Sequence, residues 1–371
     1  MDARGIDNGR MRSLDVFRGL TIVAMIVVNA AMVVAAGEGA VTYEMLEHAR
    51  WAGVTLADLV FPFFLVILGV AIPFALGSDK EATGLDRAVF QRILKRAVIL
   101  VLLGLALNFI TLLRTDGEAL RWLGVLQRIG MVYFLAALIY LKFERRWIAG
   151  IAAAILLLYW PLASLPISFD QVDLSVPGAN FISWFERQYL GPHIYVAGQA
   201  GFDPEGLLST LPATAQTLLG VLAGLWIRTQ GEAKMRLSRL AWSGFALAMV
   251  GFHWGFTFPM VKALWTSSYV VFTTGLALLA LAALSWLVDL KGWSRFWIQP
   301  LEAFGLNAIS AYILHIILLW TLKAPLLVPL YWLMDNLLSP RASSIPPILI
   351  LLFLTSIPIA LLAWRKITIR V

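Results

Sequence analysis

Of 371 residues, 60% are hydrophobic and only 14% are charged, with a mean hydropathy of +0.82. Soluble domains carry about 25% charged and about 45–50% apolar residues, so this composition excludes a chain that covers its own surface in water. The formal net charge is +7 and there is no cysteine. The missing thiols remove thiolate nucleophiles, cysteine zinc sites, iron–sulfur clusters and disulfides together.

A crossing of the hydrocarbon layer needs about 20 apolar residues. The hydropathy predicts ten such spans, at about 14–36, 56–76, 94–113, 122–141, 147–167, 207–227, 241–258, 268–288, 301–322 and 346–364. The expected fold is all-α: a polytopic transmembrane helical bundle, one domain over 1–371, set in a lipid bilayer. The first span exceeds the ~7–15 residues of a signal-peptide core and carries Asn29, so it reads as a retained helix. Pro62, Pro73, Pro212 and Pro358 lie inside spans and are expected to kink or break them. The loop at 168–206 holds Trp184, Phe185, Tyr189, His193 and Tyr195, too many aromatics for a disordered linker. Residues 326–338 are apolar but short, which predicts a re-entrant or surface helix. No transporter-type repeat stands out.

The N-terminal tail, the even loops and the C-terminus hold 20 Lys and Arg, against 7 in the odd loops. The positive-inside rule then puts both termini in the cytoplasm, as in a bacterial inner membrane, and the 168–206 loop outside. The basic excess is therefore a topology signal, and no nucleic-acid partner is expected.

Polar side chains inside hydrocarbon are costly and ask for a partner or a task. Asn29, Asp58, Asn108, Gln127, Arg128, His253, Ser268, Tyr269 and His315 fall in the outer halves of their spans. Asp15, Arg18, Glu302 and Asn307 fall in the inner halves. Convergence of the outer set would form a polar cavity near the extracytoplasmic face. Within it, Asp58 and Arg128 read as a structural ion pair. His48, in Glu47-His48-Ala49-Arg50-Trp51, precedes the helix that carries Asp58. With a reference pKa of ~6.5, a histidine there can serve as general base or as acyl-accepting nucleophile, or can be a plain interfacial residue. No triad, paired metal-binding histidines, Walker loop or dinucleotide fingerprint accompanies it, and no metal is expected.

Six ordered motifs carry a resemblance. They are Leu14-Asp15-Val16-Phe17-Arg18-Gly19-Leu20; His48 through Arg50-Trp51, Gly53, Thr55 and Ala57-Asp58-Leu59-Val60-Phe61-Pro62; and Gly124-Val125-Leu126-Gln127-Arg128-Ile129. Phe202-Asp203-Pro204-Glu205-Gly206, Leu264-Trp265-Thr266-Ser267-Ser268-Tyr269-Val270 and Gly305-Leu306-Asn307-Ala308 complete them. From about Ser13 to the C-terminus the chain resembles the heparan-α-glucosaminide N-acetyltransferase family of transmembrane acyltransferases. The resemblance implies transfer of acetyl from cytoplasmic acetyl-CoA to the amine of a glucosamine-type sugar across the membrane. The family's active-site histidine falls on His48 and its asparagine on Asn29. His48 is then the general base and Asn29 the oxyanion donor, with an acetyl-imidazole on His48 as the alternative course.

Under the same reading, Arg18, Arg128, Trp265, Ser268, Tyr269 and Asn307 are candidates for contact with acetyl-CoA, and Arg92 and Arg96 for its phosphates. Asp58, Asp203 and Glu205 are candidates for the acceptor. A homodimer is compatible with the sequence. The rival class is a secondary transporter of sugars or amino sugars, which would release no CoA.

Overall fold

The computed structural model describes residues 11–36, 39–115, 119–166, 172–198, 200–229, 232–293 and 295–369. The start of the long loop at 168–171 and the basic residues Arg4, Arg10 and Arg370 lie outside them. In chain order the helices are α1 Arg12–Ala35, α2 Leu56–Ala82, α3 Arg87–Thr115, α4 Val125–Lys142, α5 Arg145–Ala163, α6 Phe181–Leu190 and α7 Thr210–Ile227. They continue with α8 Ala233–Trp254, α9 Ser267–Leu284, α10 Arg295–Leu306, α11 Ala308–Leu322, α12 Val328–Asp335 and α13 Ile345–Trp364. No strands occur among the described residues, only isolated bridges of Ala52 with Val261 and Val196 with Phe202. An all-α architecture follows from the composition, because a helix satisfies its own backbone hydrogen bonds without water.

Nine helical segments among the described residues are long and apolar enough to cross a membrane. The chain is an integral membrane protein built as an all-α polytopic bundle. The nine differ from the ten expected spans in two places. The expected span at 241–258 is α8, a helix whose first turns carry Lys234, Arg236 and Arg239 and which is less apolar than the nine. The expected span at 301–322 is broken at Asn307 into α10 and α11.

The short segment at 326–338 does not stand apart in the structure. A π turn over Lys323–Leu327 joins α11 to α12, so the two run as one apolar segment, Ala308–Asp335. The prolines do not break their helices either. Pro62 and Pro73 lie within α2, Pro358 within α13, and Pro212 in the first turn of α7, where its missing N–H has no intrahelical acceptor to lose. The Pro73 carbonyl instead accepts Arg228 Nη1 at 2.6 Å.

The chain forms two compact units. The first comprises the described parts of 1–49, 54–64 and 280–371, the second 50–53 and 65–279, so α2 and α9 each contribute to both. In the first unit, α1 packs on α10 where Gly19 faces the Leu301 carbonyl and Gly305 faces that of Asp15. A Cβ at either glycine would collide with backbone. Such small-residue seams let helices approach closely where lipid offers no hydrophobic drive for association. Around the seam Ile22, Ile26, Phe304, Ala311, Leu351 and Ile359 form the core.

The second unit repeats the device. Gly69 of α2 meets the Thr217 carbonyl of α7, and Gly251 of α8 meets the backbone of Phe272 in α9. The described part of the long loop is folded. Asn180 caps α6 by accepting the Ser183 N–H at 2.9 Å, and Arg187 donates to the carbonyls of Gly178 and Gly201 at 3.0 and 2.8 Å.

Candidate functional site

The candidate residues divide between the two units. In the first, the loop residue His48 places Nδ1 2.8 Å from Asp58 Oδ1. Asp58 is fully buried in the first turn of α2. Its Oδ2 accepts the backbone N–H of Ala49 at 3.0 Å and that of Thr55 at 3.1 Å. Thr55-x-x-Asp58 is half of a capping box, with the acid of the first turn reaching back to the N–H that precedes the helix. Thr55 Oγ1 in turn donates to the Glu47 carbonyl at 2.7 Å. The helix start therefore builds the histidine loop. An ionised carboxylate only accepts, so the neutral form of His48 that fits this contact has its proton on Nδ1. About a third of the His48 side chain, 32%, is exposed.

Asp58 lies in the first unit, where His48, Ala49 and Thr55 are among its partners, and Arg128 lies in the second. Arg128 donates from Nη2 to the Gly206 carbonyl at 3.2 Å and to Ser209 Oγ. The carboxylate that the sequence assigned to charge neutralisation holds a histidine.

Asn29, six residues before the end of α1, places Nδ2 2.9 Å from His315 Nε2, and His315 Nδ1 donates to the Ala311 carbonyl at 3.2 Å. Nearer the start of α1, Arg18 Nη1 reaches Asp15 Oδ1 at 3.3 Å and the Gly305 carbonyl at 3.4 Å, with 24% of its side chain exposed. Asn307 is buried, and its amide holds the backbone after α13. It accepts from Ile369 N at 3.1 Å and donates to the Ile367 carbonyl at 3.4 Å. That clamp gives it a structural task at the break between α10 and α11.

In the second unit, Trp265, Ser268 and Tyr269 are fully buried. Trp265 has left-handed backbone, φ +53°, a conformation that costs a bulky residue about 1–3 kcal/mol. Its Nε1 donates to Gln216 Oε1 at 3.0 Å, Gln216 Nε2 donates to Thr273 Oγ1 at 2.9 Å, and the Arg128 guanidinium lies 4.9 Å from the indole centre. Ser268 Oγ donates to the Pro259 carbonyl at 3.4 Å.

Asp203 and Glu205 are held rather than presented. Arg121 grips Asp203 through Nε at 3.0 Å and Nη2 at 2.5 Å, and the same Nη2 meets Glu205 Oε2 at 2.5 Å. Burial pulls the Arg121 pKa down, but Glu205 and Asp203 outweigh it and raise it overall. Burial pushes Glu205 up, and Arg121 with Arg128 brings it below its ordinary value. Behind this triad sits Glu186 of α6, pushed up to about 7 chiefly by burial. Arg92 pairs with Asp79 at 2.5 Å, and Arg96 stacks on Tyr133 at 4.8 Å.

Sequence reasoning missed Arg121, Glu186 and Gln216. Arg121 and Gln216 meet their partners through folds of the chain 82 and 49 residues long, which no local pattern reveals. Thr55, by contrast, was readable from its spacing to Asp58. Among the described residues, no cluster of three or more potential metal-ligating side chains is present.

A profile of the family described as heparan-alpha-glucosaminide N-acetyltransferase, catalytic, matches residues 10–254. The human protein named heparan-alpha-glucosaminide N-acetyltransferase is 28% identical over 363 residues, covering 82% of this chain and 52% of its own length. The mouse protein of the same name is 27% identical over 372 residues, covering 85% and 55%. The chain thus spans about half the length of these curated relatives.

Proposed function

The chain belongs to the heparan-alpha-glucosaminide N-acetyltransferase catalytic family, and from that premise we propose that it is a membrane-embedded acetyltransferase. Its donor is acetyl-CoA and its acceptor the amine of a glucosamine-type sugar. The observation that carries the reading is the His48–Asp58 pair, which lies inside the matched region. His48 Nε2 takes the proton of the attacking amine while a C–N bond forms at the acetyl carbon and the C–S bond to CoA breaks. Asp58, buried and held by two backbone N–H groups, keeps the proton on Nδ1 and stabilises the imidazolium that forms. The proton on Nε2 then passes to the departing thiolate. Asn29 donates to the acyl oxygen as it gains charge, a contribution of about 3–4 kcal/mol where one such donor has been removed.

Acetyl-CoA brings phosphates at one end and an uncharged arm at the other. Arg18 fits the phosphate end, because Asp15 and Gly305 fix a guanidinium that still has exposed surface. Asp203 and Glu205, with Arg121 between them, are better suited to shaping the outer loop than to holding the acceptor's ammonium.

Taking α8 as a crossing beside the nine apolar segments among the described residues gives an even number, which supports termini on one side, and the basic excess supports the cytoplasmic side. Acetyl then crosses within the protein to an acceptor on the far side. The test is direct: purified protein given acetyl-CoA and glucosamine releases CoA and N-acetylglucosamine in equal amounts. A protein that consumes neither substrate contradicts the proposal.

A further inference from the structure

Asn29 is one of the few polar side chains on α1, and the hydrogen bond that orients it comes from a histidine 286 residues away. His315 is fully buried in α11, four residues after Ala311, whose carbonyl lies 3.2 Å from His315 Nδ1. A carbonyl oxygen cannot donate, so Nδ1 carries the ring proton. The neutral ring then has its lone pair on Nε2, and the atom 2.9 Å away must offer a hydrogen. That atom is the amide nitrogen of Asn29. The chain Ala311 carbonyl–His315–Asn29 therefore has one consistent assignment. It turns the Nδ2 end of the amide toward the histidine and fixes the plane of the group. The second hydrogen on Nδ2 points about 120° from the first, with no protein acceptor among the described residues. Edge-to-face contact with Tyr312, ring centres 5.3 Å apart, and the packing of Ala311 and Leu319 into the first unit's core limit rotation of the imidazole.

We propose that His315 is a positioning residue for acetyl transfer: by accepting one Asn29 N–H it aims the other at the acyl oxygen. This inference rests on the role given to Asn29 above. An amide is symmetrical enough in shape to flip, and a flipped Asn29 would present its carbonyl oxygen to a developing negative charge. The histidine prevents that flip only as the neutral Nδ1–H tautomer, which explains why its other nitrogen is committed to a backbone carbonyl. Loss of orientation rather than of the donor itself should cost part of the donor's value, and misplacement on the order of 1 Å can cost ~10²-fold.

The test is a double-mutant cycle on the purified full chain, with kcat and acetyl-CoA KM measured for Asn29→Ala, His315→Leu, His315→Gln and Asn29→Ala/His315→Leu. Folded state is checked by monodispersity and melting temperature. His315→Leu, which cannot accept, should lower kcat at least 10-fold with KM within about twofold. His315→Gln, whose side-chain oxygen can accept from Asn29, should recover most of that loss. In the Asn29→Ala background, His315→Leu should cost nothing further. If His315→Leu lowers kcat equally with and without Asn29, or if His315→Gln is as slow as His315→Leu while folded, the positioning role is wrong. Should Asn29→Ala leave kcat unchanged, the failure lies in the oxyanion role of Asn29 and the inference falls with it. If His315→Leu does not fold, the decision rests on His315→Gln: near-full activity upholds the proposal, and a folded variant with kcat reduced as in Asn29→Ala overturns it.

Discussion

Among single residues, Asp58 is the pivot of the proposed chemistry. The sequence presents it as a carboxylate in a hydrophobic segment, for which Arg128 is the expected cation. In the structure His48, Ala49 and Thr55, all within ten residues of it in the chain, are among its partners. Such local capping needs no distant side chain to be brought out of water. Asp58→Asn keeps the volume but offers His48 an amide that can present its N–H, favouring the wrong tautomer. The same change in a Ser-His-Asp triad lowers kcat by about 10⁴. Here it should lower kcat at least 100-fold while acetyl-CoA still binds, measured as steady-state rates alongside isothermal titration. A variant with kcat within threefold of the wild type would remove Asp58 from the mechanism.

At the element scale, helix positions were legible because each span is a long apolar run. What lay hidden were the interruptions. Asn307 ends α10 inside an apolar run, and Lys323–Leu327 carries α11 into α12 across the polar point that the hydropathy takes for a span end. Likewise α6 was readable only as an aromatic-rich loop, yet it buries Ile182, Ser183 and Glu186 on one face. Glu186 accepts the Leu208 N–H at 3.1 Å, while its Oε2 is buried without a hydrogen-bond partner.

The folded state holds the Glu186 proton up to about pH 7, against 4.5 ordinarily. The unfolded chain releases it first, so stability falls between about pH 4.5 and 7 and levels off above, by about 3 kcal/mol in all. Asp203 and Arg128 face it with opposite effects. Glu186→Gln keeps the acceptor for Leu208 and removes the titration. Its melting temperature should therefore match the wild type at pH 5 and exceed it at pH 8. An equal deficit at both values would mean that the buried carboxylate does not titrate in this range.

Over the whole molecule, the proposed sidedness rests on how Lys and Arg are distributed among the loops. On the proposed topology, the termini and loops that hold twenty basic residues face the cytoplasm and the loops that hold seven face outside. The absence of cysteine allows a clean test, since any thiol introduced is the sole one. A cysteine at Ser175, exposed in the long loop, should react with an impermeant maleimide from outside intact cells. One at Glu144, whose side chain is 73% exposed between α4 and α5, should react only after permeabilisation. Reversed or equal labelling would overturn the assigned orientation.

His48 stands out in sequence through its motif and Asn29 through the family resemblance. Their partners do not, because Asp58 is ambiguous in sequence and His315 is 286 residues from Asn29. The proposed proton removal by His48 joins these residues, and its most direct measurement is acetyl transfer by His48→Ala. Purified in parallel with the wild type and matched for folded fraction, it should bind acetyl-CoA normally and transfer acetyl to glucosamine ~10²–10⁴-fold more slowly, the usual worth of a general base. Transfer at more than about a tenth of the wild-type rate would contradict the account.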